Sequence, residues 1–284
     1  MVNIITHRGL EPSYPTFYSE SSYEAFADHL QRGFGLEFDP NFLLDGNIVL
    51  AHDSSLSRMS NGKDTRPFAE LKTEDIQNSM LPHGRLCFFA ELMEMIESSV
   101  APVHALHFKG IFQEQLYADV LLSHLETVLH LLPRIILFDV RPDIAAYMKA
   151  QLPTLLLAPS VAHTYDIERY NNAVHGTLLS VEEALRYKNI YDWVWLDEWD
   201  LQDKDGGQKQ FYTKETFETL KHVGYKISLV TPELHGTSPG LLGGEAHPDA
   251  KDKQTLFKRI KEILDLQPDA VCTDYPEEVR NINL

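Results

Sequence analysis

The chain is poor in cysteine: Cys87 and Cys272 are the two in 284 residues. Each sits beside apolar residues, and neither has the spacing of a metal site or a disulfide framework. Two buried free thiols suit a reducing compartment, so the expected location is the cytoplasm. Basic residues are also scarce, 25 against 42 acidic, for a net charge of −17. That balance argues against a nucleic-acid partner, whose phosphate backbone needs basic patches. It disfavours anionic membrane surfaces as well. No run reaches the roughly 18 apolar residues that a membrane span needs. No secretory signal is expected, because the first strand begins at residue 2. There is no internal repeat and no low-complexity tract. No glycines flank Ser160 in Pro159-Ser160-Val161-Ala162-His163, so no nucleophile elbow is read there.

What is present is organised around Gly35 to Asp53. Glu37 and Asp39 stand two apart in a strand-like run, so both point to one side. Two acids so placed repel unless a positive charge lies between them, and a divalent cation is one candidate. Solvated edge-strand acids are the other reading. Asp45-Gly46 is a turn signal, and the run Ile48 to Ala51 then leads to His52-Asp53. The turn brings His52 back towards the acids. At the start of the chain, Val2–Thr6 runs into His7-Arg8-Gly9, and Ser19-Glu20-Ser21-Ser22 precedes a helix from Tyr23.

Eight strand-like runs recur along the chain: Val2–Thr6, Leu36–Phe42, Val103–Lys109, Arg134–Val140, Thr154–Ala158, Trp193–Asp197, Lys226–Thr231 and Ala270–Asp274. Most are short and apolar, as parallel strands buried on both faces are. Helical stretches fall between them, the clearest at Phe112 to Leu132. The spacing predicts an α/β fold, a single (β/α)8 TIM-type barrel over residues 1–284 with a small insertion after strand two. Active-site residues are then expected at the C-terminal strand ends. The loop Pro232 to Asp252 is long and rich in Gly and Pro.

The ordered set His7-Arg8-Gly9, Glu20, Glu37-Phe38-Asp39, Asp45-Gly46 and His52-Asp53 resembles the glycerophosphodiester phosphodiesterase family. Ser21-Ser22 stands where that family has Asn-Thr. The resemblance implies metal-dependent hydrolysis of a small-molecule phosphodiester to an alcohol and a phosphomonoester. A neighbouring glycerol hydroxyl would serve as internal nucleophile. It implies His7 and His52 as the acid–base pair, Arg8 on the phosphate, and Glu37 and Asp39 on the metal, Mg²⁺ or Ca²⁺ by family. Glu20 is either a further site residue or a helix-entry acid.

Strand three departs from the pattern. It reads Leu106-His107-Phe108-Lys109 where the family has Leu-Glu-hydrophobic-Lys. Lys109 matches the phosphate lysine, with a solvated surface Lys as the plain alternative. His107 replaces an acidic ligand. As a ligand it favours a transition metal; otherwise it is a hydrogen-bonding group near substrate. Asp139, Asp197 and Glu198 are weaker candidates, and Asp274 reads as the cap of a following short helix. His163, Asp166 and Arg169 read as an ordinary solvated loop, with a leaving-group patch as the alternative. Two other functions stay open: a barrel phosphodiesterase for a phospholipid or sugar diester, and a barrel that binds a phosphate ester without turnover.

Overall fold

The computed structural model describes residues 2–14, 16–199, 201, 206, 207, 209–234 and 247–283. Eight barrel positions appear where the apolar runs placed them. They are β1 (Asn3–His7), β2 (Gly35–Phe38), β3 (His104–His107), β4 (Ile135–Phe138), β5 (Leu156–Ala158, resuming as Ser160–Ala162), β6 (Trp193–Asp197), β7 (Lys226–Val230) and β8 (Ala270–Thr273). All pair in parallel, and β8 returns to β1 through Asn3 opposite Ala270. The first half of β5 pairs with β4 and its second half with β6. Pro159, with no N–H to give, marks the change; its carbonyl accepts from Trp195 N at 3.0 Å. The run expected to end at Ala158 thus continues to Ala162.

A second departure matters more for function. Leu36–Phe42 is not one strand. The barrel strand ends at Phe38, and Pro40–Phe42 turns out to pair antiparallel with Ile48–Leu50, which pairs in turn with Cys87–Phe88. A proline cannot donate into a parallel ladder, so the chain leaves the barrel just after Asp39. Gly46, at φ 80°, closes the turn. The insertion that follows buries its own apolar cluster, including Leu56, Met59, Phe68, Leu71 and Ile76.

Helices cover the outside: α1 (Tyr23–Gln31), α2 (Phe89–Ser98), α3 (Gln115–Leu125), α4 (Pro142–Gln151), α5 (Thr164–Tyr170), α6 (Val181–Arg186), α7 (Lys214–His222), α8 (Lys253–Asp265) and α9 (Pro276–Asn283). Ser22 caps α1, accepting from Ala25 N at 3.1 Å. The stretch expected as one helix from Phe112 to Leu132 is α3 followed by 3₁₀ turns, with Val128 out of helical range. The β-branched pair Thr127-Val128 lies at that break. The long loop after β7 lies in part outside the described residues, over 235–246.

Gly35 decides how closely β2 approaches its neighbour. A Cβ there would stand 2.1 Å from the carbonyl oxygen of Val103. Only backbone movement relieves that clash, and β2 carries Glu37 and leads to Asp39. Gly35→Ala is expected to destabilise the fold by about 1–3 kcal/mol. Urea unfolding checks this, and an unchanged midpoint contradicts the packing described.

Candidate active site

The C-terminal strand ends gather one group of titratable side chains. β1 supplies His7 and then Arg8; β2 supplies Glu37 and then Asp39; β3 supplies His107 and then Lys109. The insertion turn returns His52 to the same place. Together with Asp139, Trp195 and Asp197, His7, Arg8, Glu37, His52 and His107 line one cleft. Arg8 and Asp139 hold left-handed backbone, at φ 53° and 65°. Such strain in non-glycine residues concentrates at functional sites.

Each histidine has a carboxylate behind it. His7 Nδ1 donates to Asp274 Oδ1 at 2.8 Å, and His52 Nδ1 donates to Asp53 Oδ1 at 3.0 Å. The carboxylates fix the tautomer, leaving each Nε2 as the acceptor. Burial, aided by Arg8, holds His7 well below its ordinary value. Burial lowers His52 too, against the opposite pull of Asp53. Both rings are therefore neutral and able to take a proton. Asp274 was expected to cap a helix, and the structure instead sets it, fully buried, behind His7.

The acids form the other half. Glu37 and Asp39 are 3% and 1% exposed. Burial and the Asp39 charge raise Glu37. Burial would raise Asp39 as well, but Lys109 and His107 outweigh it and bring Asp39 well below the usual range. Lys109 Nζ lies 3.1 Å from Asp39 Oδ1 and also donates to the His52 carbonyl. Lys109 is thus no solvated surface lysine; it ties β3 to the His52 turn. Arg8 Nε stands 3.6 Å from Asp39 Oδ2.

His107 lies between two carboxylates. Nδ1 is 3.0 Å from Asp39 Oδ1 and Nε2 is 3.3 Å from Asp139 Oδ2. Its ring stacks on Phe138 at 4.6 Å, and Phe138 stacks on Trp195 at 3.8 Å. Burial alone would lower His107, but Asp139 and Asp39 prevail and raise it to about 9.

A metal ion fits these residues on two observations. Glu37, Asp39 and His107 each offer a ligand atom, all within 4.8 Å of one another. Asp39 Oδ2 is buried and accepts no hydrogen bond. Two carboxylates and an imidazole are a donor set for a divalent ion that accepts nitrogen.

Of the other candidates, Glu20 contacts arginines: Oε2 lies 3.9 Å from Arg8 Nη1, and Oε1 accepts from Arg58. Glu198 faces away from the cleft, accepting from Tyr212 N and Arg259 Nη2, both at 2.9 Å. His163 accepts from Tyr165 N at the start of α5, and Asp166 pairs with Lys209 at 2.5 Å. Asp166 is fully buried within α5, so the segment expected as a solvated loop is a helix.

The sequence matches the glycerophosphoryl diester phosphodiesterase family over residues 7–187. The chain belongs to that family, whose members are hydrolases of glycerophosphodiesters. Solved structures agree on the fold. A glycerophosphoryl diester phosphodiesterase from Parabacteroides distasonis is 17% identical at TM-score 0.65, covering 99% of this chain and 86% of its own. An Oleispira antarctica phosphodiesterase, in complex with the product sn-glycerol-3-phosphate, is 16% identical at TM-score 0.63, covering 99% and 96%. The glycerophosphodiester phosphodiesterase of Thermotoga maritima is 18% identical at TM-score 0.59, covering 99% and 96%. None of the curated proteins matches the sequence at a significant level.

Two predictions follow from the geometry. Asp274→Asn removes the carboxylate that orients His7, and turnover should fall about 10²- to 10⁴-fold with the protein still folded. Steady-state kinetics beside a melting curve checks this; wild-type turnover would free Asp274 of any such role. The second concerns pH. His107 is raised from 6.5 to about 9 in the fold. Its contribution to stability is therefore complete below 6.5 and lost as pH rises through 9. With divalent ions chelated, the melting temperature should fall between pH 7 and 9, and His107→Gln should flatten that fall. Parallel curves for the two proteins would contradict the ion pair.

Proposed function

We propose that residues 1–284 act as one barrel unit that hydrolyses a glycerophosphodiester, with Glu37, Asp39 and His107 holding one divalent ion. The observation that carries this is the convergence of two neutral histidines, each backed by a carboxylate, on the cleft that Arg8 and Glu37 also line. When bound, the ion would neutralise charge on the phosphoryl oxygens and help to place the nucleophile. Arg8 and Lys109 add positive charge for the phosphate. One histidine takes the proton of the attacking glycerol hydroxyl at Nε2 and the other delivers a proton to the leaving alcohol, which leaves a cyclic phosphodiester; with the two roles exchanged, the same pair activates a water that opens the ring to the phosphomonoester. The anionic phosphodiester raises the proton affinity of whichever ring it lies beside, which supplies the acid. Phe138, Trp195 and the nearby Trp199 and Leu178 give the cleft an apolar wall for the carbon parts of the substrate.

The O,O,N donor set supports a transition ion over Mg²⁺ or Ca²⁺. A reducing compartment, the cytoplasm, is supported by two free thiols that are both buried. Among the described residues no helix is long and apolar enough to cross a membrane. The substrate is a small molecule, and the net charge of −17 speaks against nucleic acid.

A second reading has its own observation. Both His107 nitrogens face carboxylates, so a protonated His107 with Lys109 can stand in place of a third ligand and its ion. The chain would then bind a phosphate ester with weak turnover or none. Chelated protein assayed on a glycerophosphodiester across Mg²⁺, Ca²⁺, Mn²⁺ and Zn²⁺ separates the two. The first reading expects turnover that depends on the ion, and expects His107→Glu to shift preference towards Mg²⁺ or Ca²⁺. No turnover with any ion supports the second. Turnover indifferent to chelation overturns the metal assignment.

A further inference from the structure

Arg58 lies in the insertion, six residues past His52, between Leu56 and Met59, which are buried in the insertion's own core. Those neighbours fix its backbone, while its side chain stays 38% exposed. The guanidinium grips both oxygens of Asp53, Nε to Oδ2 at 2.8 Å and Nη2 to Oδ1 at 3.1 Å. Nη2 also donates to Glu20 Oε1. One side chain thus joins the loop after β1 to the turn that presents His52. A continuous chain results: Arg8, Glu20, Arg58, Asp53, His52.

We infer that Arg58 is a positioning residue for the phosphodiesterase reaction, setting His52 through Asp53 and restraining Glu20 beside Arg8. A lone exposed ion pair contributes little. Arg58 differs because its bidentate grip fixes the plane of a carboxylate whose Oδ1 is also the acceptor for His52. Without the grip, Asp53 can rotate about its side-chain torsions, and the His52 ring with it. Burial pulls Asp53 upward, yet His52 and Arg58 hold it well below the usual carboxylate range, as an ion suited to orient an imidazole. Glu20, released from Arg58, has Arg8 as its nearest cation and competes with the phosphate for it. The insertion then has a catalytic purpose: its small core is the platform that aims Arg58.

The inference rests on the hydrolase reading, so its test has one arm that needs no turnover. In the kinetic arm, Arg58→Ala should lower kcat between about 10- and 100-fold, the scale of a misplaced catalytic group. Arg58→Lys, which keeps the charge without the bidentate grip, should recover part of the loss. In a His52→Ala background, Arg58→Ala should lower kcat by much less than in the wild type, because the route through that ring is gone and only the restraint on Glu20 remains. In the second arm, ¹⁵N-histidine spectra of the chelated protein should show His52 as a single Nδ1–H tautomer, moving towards a mixture in Arg58→Ala. Unchanged His52 ring shifts in Arg58→Ala overturn the inference whether or not the substrate is correctly assigned. So does a loss that multiplies undiminished in the His52→Ala background. A wild-type protein inert on glycerophosphodiesters would remove the functional reading, and the spectra would still decide the role of Arg58.

Discussion

The Asp39 carboxylate is the constraint on which the site depends. It is almost fully buried, next to a second buried acid, and such a group is costly to hold without positive charge around it. Three cations from three places meet that need: Arg8 from the loop after β1, His107 from β3 and Lys109 just beyond it. Two of them also do something else. Lys109 holds the His52 carbonyl, and His107 reaches Asp139 at the end of β4. Neutralising one carboxylate therefore brings four strand ends and the insertion turn into register.

The same electrostatics divides the cleft by charge state. The histidines backed by Asp274 and Asp53 are held neutral by burial, whereas His107, between two carboxylates, is held charged. Neutral rings suit proton transfer. A charged ring suits a structural cation, and it must give up a proton before it can ligate a metal. His107 is thus held as an internal cation between two carboxylates, and it can act as a ligand only after giving up that proton.

Much of this was legible in the sequence because the informative residues lie close together. His7, Arg8, Glu37, Asp39 and His52 fall within 46 residues of one another. The strand period and the Asp45-Gly46 turn bring Glu37, Asp39 and His52 together, and the parallel pairing of β1 with β2 adds His7 and Arg8. Eight apolar runs at barrel spacing carried the fold. The break at Asp39 could have been anticipated from Pro40, which cannot serve a parallel ladder. Asp274 ends a strand, but its partner lies 267 residues away, so the local sequence offers only a helix for it to cap. Asp139 carried no local motif; its signals are the left-handed backbone and the ring across from it. Arg58 was silent altogether, since nothing in the insertion's composition says which of its cations points inward.

The central claim is that Glu37, Asp39 and His107 together hold one divalent ion. Calorimetric titration of Mn²⁺ and Zn²⁺ into the chelated protein, repeated with Asp39→Asn, tests it most directly. The account predicts one ion per chain for the wild type and an affinity reduced at least tenfold in the variant, about 1.4 kcal/mol or more. Equal binding by both proteins would contradict it.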